Sequence, residues 1–364
     1  MSGNRLVRLL LLLVNGLVII CLLMSLIAPY IAPHTIIFPA FFGLIFIPIT
    51  LLNLSFIVFW LILRPAYSWF SIIALILSIP NLFNHLNISS DGQPGELKVM
   101  SYNVRLFDLY NWTGSDDTRP LFVSFIQYNP ADIYCFQEYF NSENSQKFTT
   151  QERVAAAIGD HERHEYFTAV LHNKVHQFGI ATYSKYPIIK KGLVPLDTAK
   201  HNVAIYTDID LGEDTVRVFN MHLASVHLSA MANEIDQHIQ QNDQLKQWRD
   251  LKQLIKRLAG GYKKRSQQAD HIADYISESP YPVIVCGDFN DTPGSYSYQA
   301  IRGELEDAFV DQGLGFGTSY VGFFPSLRID YILNDPVMEC TNFTTHNVNM
   351  SDHRPITAHF ILAN

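Results

Sequence analysis

Three long apolar stretches without charge occupy the N-terminal end of the chain, at residues 9–29, 36–63 and 69–86. A helix needs about 20 apolar residues to cross a bilayer. The pattern therefore predicts a membrane region over residues 1–90, with about three transmembrane helices at 9–29, 38–63 and 68–86. The third stretch is the shortest and carries Pro80 and Asn81 near its end, so an interfacial or re-entrant segment is the alternative there.

Charge placement gives this region an orientation. Its only charged side chains are Arg5 and Arg8, before the first stretch, and Arg64, between the second and the third. The positive-inside rule assigns these arginines to the cytoplasmic side. Three crossings then place everything after about Asn87 on the extracytoplasmic face, periplasmic or outer, whereas two would leave it inside; we expect three. A cleaved signal peptide competes for the first stretch, which is long for one and lacks a clean small-x-small site.

Beyond residue 95 the pattern changes to short β-rich runs separated by polar, Gly and Pro positions. These runs predict strands at residues 97–104, 133–137, 178–184, 203–209, 216–223, 283–286, 328–333 and 356–360. Helical periodicity predicts helices at 118–128, 229–259 and 263–277, the last two separated by Gly260 and Gly261. Strands interspersed with helices indicate an α/β or α+β sandwich with helices outside the sheets. Residues 87–95, rich in Ser, Gly and Pro, suggest a hinge.

The net charge of −8 is unevenly distributed. Residues 91–364 hold 23 Lys and Arg, the 26 of the chain less the three in the membrane region, against all 34 Asp and Glu. This acidic balance argues against a protein that grips long nucleic acid through a basic surface. The four cysteines indicate no disulfide framework, and no Cys/His spacing for zinc is present.

Short polar segments follow the ends of several predicted strands, where a rigid strand presents side chains to a cleft. They are S-Y-N-V-R at 101–105, C-F-Q-E at 135–138, F-N-M-H-L at 219–223, V-C-G-D-F-N-D-T-P at 285–293, R-I-D-Y-I at 328–332 and M-S-D-H-R-P-I at 350–356. Together they supply hard oxygen donors suited to Mg²⁺ or Mn²⁺. These donors are the carboxylates of Glu138, Asp288 and Asp352 and the amide oxygens of Asn103 and Asn290.

Two histidines of the same segments, His222 and His353, suit proton transfer and phosphate contact. No nucleophilic Ser or Cys motif accompanies them. A hard divalent cation with two histidines suggests metal-assisted attack of water on a phosphate ester.

The combination of G-D-F-N, R-I-D-Y-I and S-D-H-R-P-I with an upstream Q-E resembles the endonuclease/exonuclease/phosphatase superfamily, which has the deoxyribonuclease I-like fold. The run F-G-I-A-T-Y-S-K-Y-P-I at 178–188 is similar to a strand of that family, and the resemblance covers about residues 97–362. It implies an α+β fold, a four-layer α/β/β/α sandwich with two central mixed sheets. It also implies that residues 91–364 form a hydrolase domain that uses Mg²⁺ or Mn²⁺.

The resemblance implies a role for each matching residue. Glu138 would be the principal metal ligand, with Asn103 beside it and Asp352 joining directly or through water. Asp330 would accept a hydrogen bond from His353 and fix its tautomer. The family offers both Asp288 and the His353 pair as the base, and that choice stays open. Two further residues would act on the substrate: Asn290 would orient the phosphate or water, and His222 would contact a phosphate oxygen or protonate the leaving group.

Arg105 departs from part of the family, because apurinic-site endonucleases often carry an acidic or amide residue two places after the Asn. Arg105 either contacts a phosphate of the substrate or forms a surface salt bridge. This departure weakens a DNA-repair interpretation.

A basic amphipathic helix is predicted between His222 and Asp288. Its apolar positions are Leu245, Trp248, Leu251, Leu254, Ile255 and Leu258, interleaved with Lys246, Arg249, Lys252, Lys256 and Arg257. Such a helix either lies on lipid headgroups or packs on the sandwich with a solvated basic face. The run Lys263 to Arg265 is interpreted as a solvated charge run.

These observations lead to one preferred function and two alternatives. The preferred one is a membrane-anchored, divalent-metal-dependent phosphoesterase acting outside the cytoplasm on a lipid headgroup or small phosphoester. The first alternative is a nonspecific extracytoplasmic DNA or RNA nuclease, which would make nucleic acid a partner. The second is an inactive membrane-bound binding module, against which the intact set of site residues argues.

Overall fold

The computed structural model describes residues 2–88, 92–143, 148–159, 161–171, 175–196, 202–226, 244–322 and 327–362. Four helices form the N-terminal region, α1 (Ser2–Ile27), α2 (Phe38–Leu44), α3 (Phe46–Leu63) and α4 (Trp69–Phe83). Among the described residues, two helices are long and apolar enough to cross a membrane, Arg5–Tyr30 and Phe46–Leu63. The 15 residues of α4 span roughly 22 Å at 1.5 Å per residue, less than the hydrocarbon core of a bilayer.

The expectation of one helix over residues 38–63 is wrong. Helix α2 ends at Leu44 and α3 begins at Phe46, with Ile45 between them outside helical geometry. Pro48 explains the interruption, because proline has no N–H to donate to the carbonyl of Leu44 and its ring clashes with that carbonyl. The stretch therefore divides into a short helix and a long one.

A cluster of buried polar side chains joins α1, α3 and α4. Asn15 donates from Nδ2 to Oγ of Ser71 over 3.0 Å, and Trp60 donates from Nε1 to Oδ1 of Asn15 over 3.2 Å. Asn53 donates to the carbonyl of Ser71 over 2.9 Å. Interhelical hydrogen bonds of this kind hold apolar helices in register with one another.

The domain that follows contains twelve strands in its described part. They are β1 (Leu97–Asn103), β2 (Ile133–Ser142), β3 (Glu162–Leu171), β4 (His176–Ser184), β5 (Ile188–Val194), β6 (Val203–Asp210), β7 (Thr215–His222), β8 (Val283–Asp288), β9 (Glu306–Asp307), β10 (Asp330–Asn334), β11 (Met338–Thr345) and β12 (Ile356–Leu362). One six-stranded sheet has the order β11-β12-β1-β2-β4-β3 and the other β5-β6-β7-β8-β10-β9. The β1–β2 and β7–β8 pairs are parallel and the other pairs antiparallel, so both sheets are mixed.

Helices cover the outer faces of the two sheets. They are α5 (Thr118–Tyr128), α6 (Thr150–Ile158), α7 (Gln244–Ser277) and α8 (Tyr296–Arg302). A further helix, α9 (Ala308–Gln312), contributes Ala308 and Phe309 to the core between the sheets. One core lies between the sheets, a second joins the first sheet to α5 and α6, and a third joins the second sheet to α7 and α8. The expected α+β class, with two mixed sheets and helices, is confirmed.

Helix α7 runs without a break through Gly260 and Gly261, so the expected separation into two helices is wrong. Gly261 has a packing role instead, because a Cβ there would lie 2.8 Å from Val226 and 3.0 Å from the guanidinium of Arg265. Residues 229–243 of the expected helix lie outside the described residues.

Four strands were not expected, namely β3, β5, β9 and β11. Three of them contain register shifts, between Phe167 and Ala169, Ile188 and Lys190, and Cys340 and Asn342. A bulge breaks the two-residue alternation by which a strand is identified in sequence. The fourth, β9, has only two residues.

The ends of the expected hinge are bonded to the domain. Asn87 exchanges two backbone hydrogen bonds with Gly315, at 3.0 and 2.7 Å, and the N–H of Gln93 donates to the carbonyl of Thr341. Residues 89–91, with Ser89 and Ser90, lie outside the described part of the chain. The attachments on either side restrict how far a hinge here could move.

The N-terminal region packs directly on the domain. The backbones of Gly43 and Gly294 approach so closely that a Cβ on Gly43 would lie 2.3 Å from the carbonyl oxygen of Gly294. His34 Nδ1 lies 3.1 Å from Oγ of Ser266 in α7. Both the α1–α3 connection and the end of α4 touch the domain, since Arg328 donates to the carbonyl of Asn84 over 2.6 Å.

We expect Arg328→Met to lower the free energy of unfolding by about 3–5 kcal/mol, because it leaves the buried carboxylate of Asp307 without its cation. Arg328 Nη1 lies 2.8 Å from Oδ2 of Asp307, and both side chains are buried. Urea unfolding of the full-length protein in detergent, followed by tryptophan fluorescence, measures the change.

The matched control is Arg163→Met, which removes an ion pair from an arginine that is 46% exposed and changes stability by less than about 1 kcal/mol. The double variant Arg328→Met/Asp307→Asn removes both charges and regains part of the loss. Equal stability of Arg328→Met and the control would contradict this account.

Candidate active site

Strand alternation brings the polar strand ends together. In β1, Leu97 and Val99 point into the core between the sheets, and Asn103 continues that face at intervals of two residues. In β8, Ile284 and Cys286 point into the same core, and Asp288 follows them. The same alternation places His222 of β7 and Asp330 of β10 on the inter-sheet face, and both are paired in register with Asp288. Two sheets thus present their polar ends to one another.

Glu138 reaches the site through a β-bulge. Regular alternation in β2 would direct residue 138 to the outer face, beside Phe136 in the helix-facing core. The register shifts between Phe136 and Tyr139, and Glu138 adopts a positive φ of 49°. A bulge redirects a side chain in this way, and Glu138 lines the cavity with Asp288.

Asp330 and His353 form a buried dyad. Nδ1 of His353 lies 2.8 Å from Oδ2 of Asp330, so Nδ1–H donates and Nε2 faces the cavity. Burial lowers the pKa of His353, but the carboxylates of Asp330 and Asp288 outweigh it and raise that pKa to about 10. The ring of Tyr320 packs edge to face on His353 at 5.1 Å. The hydroxyl of Ser319 accepts the N–H groups of Ile329 and Asp330.

Asp288 lies at the centre of the site. Its Oδ2 accepts from Nδ2 of Asn103 over 2.9 Å and lies 3.7 Å from Nε2 of His353 and 3.6 Å from Nε2 of His222. Burial raises the pKa of Asp288, an effect that His353 opposes and the negative charge of Asp330 strengthens. The carboxylate is therefore a better proton acceptor than an exposed aspartate.

His222 and Asn290 flank Asp288. His222 Nε2 is also 3.6 Å from Oε1 of Glu138, and this nitrogen is buried without a hydrogen-bond partner among the described residues. Asn290 has a φ of 52°, which asparagine tolerates better than most residues. Its N–H donates to Oδ1 of Asp288 and its Nδ2 to the carbonyl of Leu223, leaving its amide oxygen for the cavity.

Asn103 presents nitrogen, and not oxygen, to the carboxylates. Its Nδ2 faces Glu138 at 3.3 Å and Asp288 at 2.9 Å, while its Oδ1 accepts the N–H of Arg105. In this arrangement it positions both carboxylates; its role as a metal ligand stays a prediction. Asp352 lines the cavity and pairs with Nε of Arg105 at 3.4 Å.

Arg105 belongs to the site but is not a free cation. Besides Asp352 it contacts Trp112, whose ring lies 4.4 Å from the guanidinium carbon. Arg105, Tyr110 and Trp112 line the same cavity. Its contact with a substrate phosphate stays a prediction.

Sequence reasoning missed a buried ion pair in the wall of the cavity. Arg265 Nε lies 3.0 Å from Oδ2 of Asp291, and Arg265 also donates to the carbonyl of Ala224. Lys263 and Lys264 are exposed but Arg265 is buried, so its assignment to a solvated charge run is wrong. The sequence offered one signal for this pair: Asp291 is a second carboxylate in the G-D-F-N-D run, and a buried carboxylate needs a cation as partner. The pair holds the loop that carries Asp288 and Asn290.

The donor set fits a hard divalent cation. Glu138, Asp288 and Asp352 line one cavity of about 570 Å³, and Arg105 is the arginine that faces Asp352 there. Among the described residues, Asp288, Asp330 and His353 have ligand atoms within 4.8 Å of one another. Asp330 lies outside the residues that line the cavity, and Asp291, which does line it, is paired with Arg265. The carboxylates that remain for a cation in the cavity are those of Glu138, Asp288 and Asp352.

Residues 100–353 match the Endonuclease/Exonuclease/phosphatase family. This match covers more than half of the chain, so the protein belongs to that family. Residues 7–85 match a second family, described as a domain of unknown function (DUF8431). No curated protein matches this chain.

Solved structures of this family share the fold. An endonuclease/exonuclease/phosphatase family protein from Bacteroides thetaiotaomicron is 18% identical with a TM-score of 0.52, over 73% of this chain and 97% of that one. One from Beutenbergia cavernae is 16% identical with a TM-score of 0.52, over 74% and 72%. A humanized D. rerio TDP2 is 16% identical with a TM-score of 0.51, over 72% and 98%. Family hydrolases act on phosphoester bonds, and this chain shares their architecture.

We expect Asp330→Asn to lower the pKa of His353 by roughly 1–3 pH units, because it removes the nearest negative charge from the imidazole. Titration of the histidine ring signals by NMR, with His353→Gln to identify the resonance, measures the change in metal-free protein. Asp132→Asn is the control, since Asp132 faces the exposed Lys185. An unchanged pKa in Asp330→Asn would show that the dyad does not set the charge of His353.

Proposed function

We propose that the protein is a membrane-anchored, divalent-metal-dependent phosphoesterase of the extracytoplasmic face, which hydrolyses a phosphodiester or phosphomonoester of a lipid headgroup or small molecule. The observation that carries the proposal is the convergence of Glu138, Asp288, His222 and the Asp330–His353 dyad on one cavity. A binding module would not need a buried carboxylate between two histidines.

The residues that would hold the cation are Glu138 and Asp352, with Asn103 beside them. When bound, Mg²⁺ or Mn²⁺ supplies a positive charge that polarises the phosphoryl group. Everything else in the reaction is assigned to side chains of the chain itself.

Asp288 and His353 have different roles: Asp288 acts on the attacking water and His353 on the phosphoryl group. His353 lies between two carboxylates, at 2.8 Å from Asp330 and 3.7 Å from Asp288, surroundings that favour its cationic form and suit it to hold a phosphoryl oxygen. Asp288 then takes the proton of the water, whose oxygen bonds to phosphorus. The ester P–O bond breaks, and His222 gives a proton to the departing oxygen. We therefore choose Asp288 as the base and leave Asn290 to orient the phosphate.

A nuclease is the second candidate, supported by one feature of the cavity. Tyr110 is 63% exposed and Trp112 43% exposed at its wall, and exposed aromatic rings stack on nucleobases. The arginine stacked on Trp112 would then approach a neighbouring phosphate.

Contacts between the helices and the domain support the proposed side of the membrane. The domain touches both the α1–α3 connection, through Gly43, and the end of α4, through Asn84. The end of α4 lies beside the start of α3, since the rings of His85 and Phe46 are 4.9 Å apart. An up-down-up order of α1, α3 and α4 satisfies these contacts. With the positive-inside rule, this order supports a domain on the side opposite the three arginines, which is the extracytoplasmic side.

We expect Mg²⁺-dependent hydrolysis of bis-p-nitrophenyl phosphate, p-nitrophenyl phosphate or a lipid phosphoester by the full-length protein in detergent, lost on addition of EDTA. His353→Ala and Asp288→Asn lower kcat by about 10²–10⁴-fold. The control Tyr128→Ser alters a side chain that is 84% exposed and leaves kcat unchanged.

Hydrolysis of plasmid DNA alone would show that the protein is a nuclease. Full activity in His353→Ala, or no hydrolysis of any phosphoester by the wild type, would reject the enzyme.

Topology is tested by labelling in intact spheroplasts with a membrane-impermeant maleimide. We expect Tyr128→Cys, on the domain, to be labelled, and Ala66→Cys, next to Arg64, to be labelled only after permeabilisation. The unsubstituted protein is the control: Cys135, Cys286 and Cys340 are buried, and it reports any labelling of the partly exposed Cys21 in α1. Labelling of Tyr128→Cys only after permeabilisation would place the domain in the cytoplasm, whether or not Ala66→Cys is labelled in intact spheroplasts.

A further inference from the structure

An apolar stripe runs along one side of α7. Trp248, Leu251, Ile255, Leu258 and Tyr262 follow one another at intervals of three and four residues, which places them on one helix face. The first three are 64%, 44% and 46% exposed, whereas Tyr262 is buried. The alternative in which the apolar face of this helix packs on the sandwich therefore fails for Trp248, Leu251 and Ile255. The stripe passes from the surface into the domain.

The buried end of the stripe lines the catalytic cavity. Leu258 and Tyr262 belong to its wall together with Leu44, the last residue of α2. The ring of Tyr262 packs edge to face on Phe41 at 5.6 Å. Between α2 and α7 the wall is mostly apolar, and Val226 adds to it. Its polar groups on α7 are the hydroxyl of Tyr262 and the guanidinium of Arg265, which is paired with Asp291. The apolar side chains of this wall suit the apolar part of a substrate.

This wall lies at the level of the proposed bilayer surface. Helix α2 connects α1 and α3, the two helices long enough to cross a membrane. The backbone contact of Gly43 with Gly294 fixes α2 against the loop that follows Asn290. The cavity therefore lies beside the point at which the chain enters the bilayer.

Basic side chains flank the exposed part of the stripe. Arg249, Lys252, Lys256 and Arg257 are all exposed, although residues 91–364 carry an excess of acidic groups. Exposed apolar residues between basic ones are typical of a helix that lies in the headgroup layer of an anionic membrane. The membrane in which α1 and α3 lie is the surface within reach of this helix.

We infer that the substrate is a lipid phosphoester, taken directly from the membrane surface on which the first half of α7 lies. Its phosphate meets His353, with Asp288 at the attacking water, while its hydrocarbon chain passes between Leu44 and Leu258 toward the bilayer. This inference rests on the proposed phosphoesterase function and selects the lipid from the two substrate classes left open there. It also assigns the N-terminal region a part in substrate recognition besides anchoring.

Two pairs of substrates test the inference, because the members of each pair differ only in chain length. Hexadecyl and ethyl p-nitrophenyl phosphate report diester cleavage, and hexadecyl and ethyl phosphate report monoester cleavage. The full-length protein is reconstituted in phosphatidylcholine vesicles that contain phosphatidylglycerol, with Mg²⁺. We expect the hexadecyl member of the cleaved pair to have the higher kcat/KM, by at least about tenfold.

Leu44→Ser and Leu258→Ser reduce this preference for the hexadecyl chain by about tenfold. Trp248→Ser/Ile255→Ser reduces it as well, through weaker contact with the membrane surface. Tyr128→Ser is the matched control and keeps the wild-type preference. Helices α1 and α3, which are long enough to cross a membrane, are unchanged in all variants, so a difference between the variants does not come from a loss of anchoring. Hydrolysis of the ethyl ester shows that each variant is folded.

The possible outcomes distinguish a failure of the lipid inference from a failure of the proposed phosphoesterase function. Equal kcat/KM for both chain lengths, or a preference that Leu44→Ser and Leu258→Ser leave intact, overturns the lipid inference while the phosphoesterase stands. Absence of hydrolysis of all four esters by the wild type removes the proposed function itself.

Discussion

One hydrogen bond between the two sheets expresses the constraint on which the site depends. Asn103, at the end of β1, donates to Asp288, at the end of β8 in the other sheet, over 2.9 Å. It forms because alternation along each strand points both side chains into the space between the sheets. Deeper in the same space Gln137 donates to Asn220 over 2.7 Å, again from sheet to sheet. These bonds hold the two sheets at the separation that brings the polar strand ends of the site together.

The cluster that results is rich in negative charge and largely shielded from solvent. Asp288 and Asp330 are almost fully buried, and such carboxylates are tolerated only when hydrogen bonds or opposite charges compensate them. His353 compensates Asp330, Asn103 and the N–H of Asn290 compensate Asp288, and a divalent cation suits the remainder. The electrostatic demand of the fold and the needs of phosphoester chemistry are therefore met by the same groups.

The sequence predicted most of what depends on local pattern. Strands that carry the site are continuous apolar runs ending in polar residues, so β1, β7 and β8 were found, and the α+β class with them. Bulged edge strands such as β3 and β11 were missed because their alternation is interrupted. Arg265 was misjudged because burial of one residue in a Lys-Lys-Arg run depends on Asp291, a partner distant in sequence. The same applies to Leu44, whose place in the cavity follows from tertiary contact alone.

The contact between Gly43 and Gly294 joins segments that are synthesised at different times. During synthesis the segment with Gly43 leaves the ribosome early and the loop with Gly294 late, separated by most of the chain. The contact, and with it the wall that Leu44 contributes to the cavity, therefore cannot form before the loop with Gly294 has been synthesised. Until then the cavity is open on the side of the N-terminal helices.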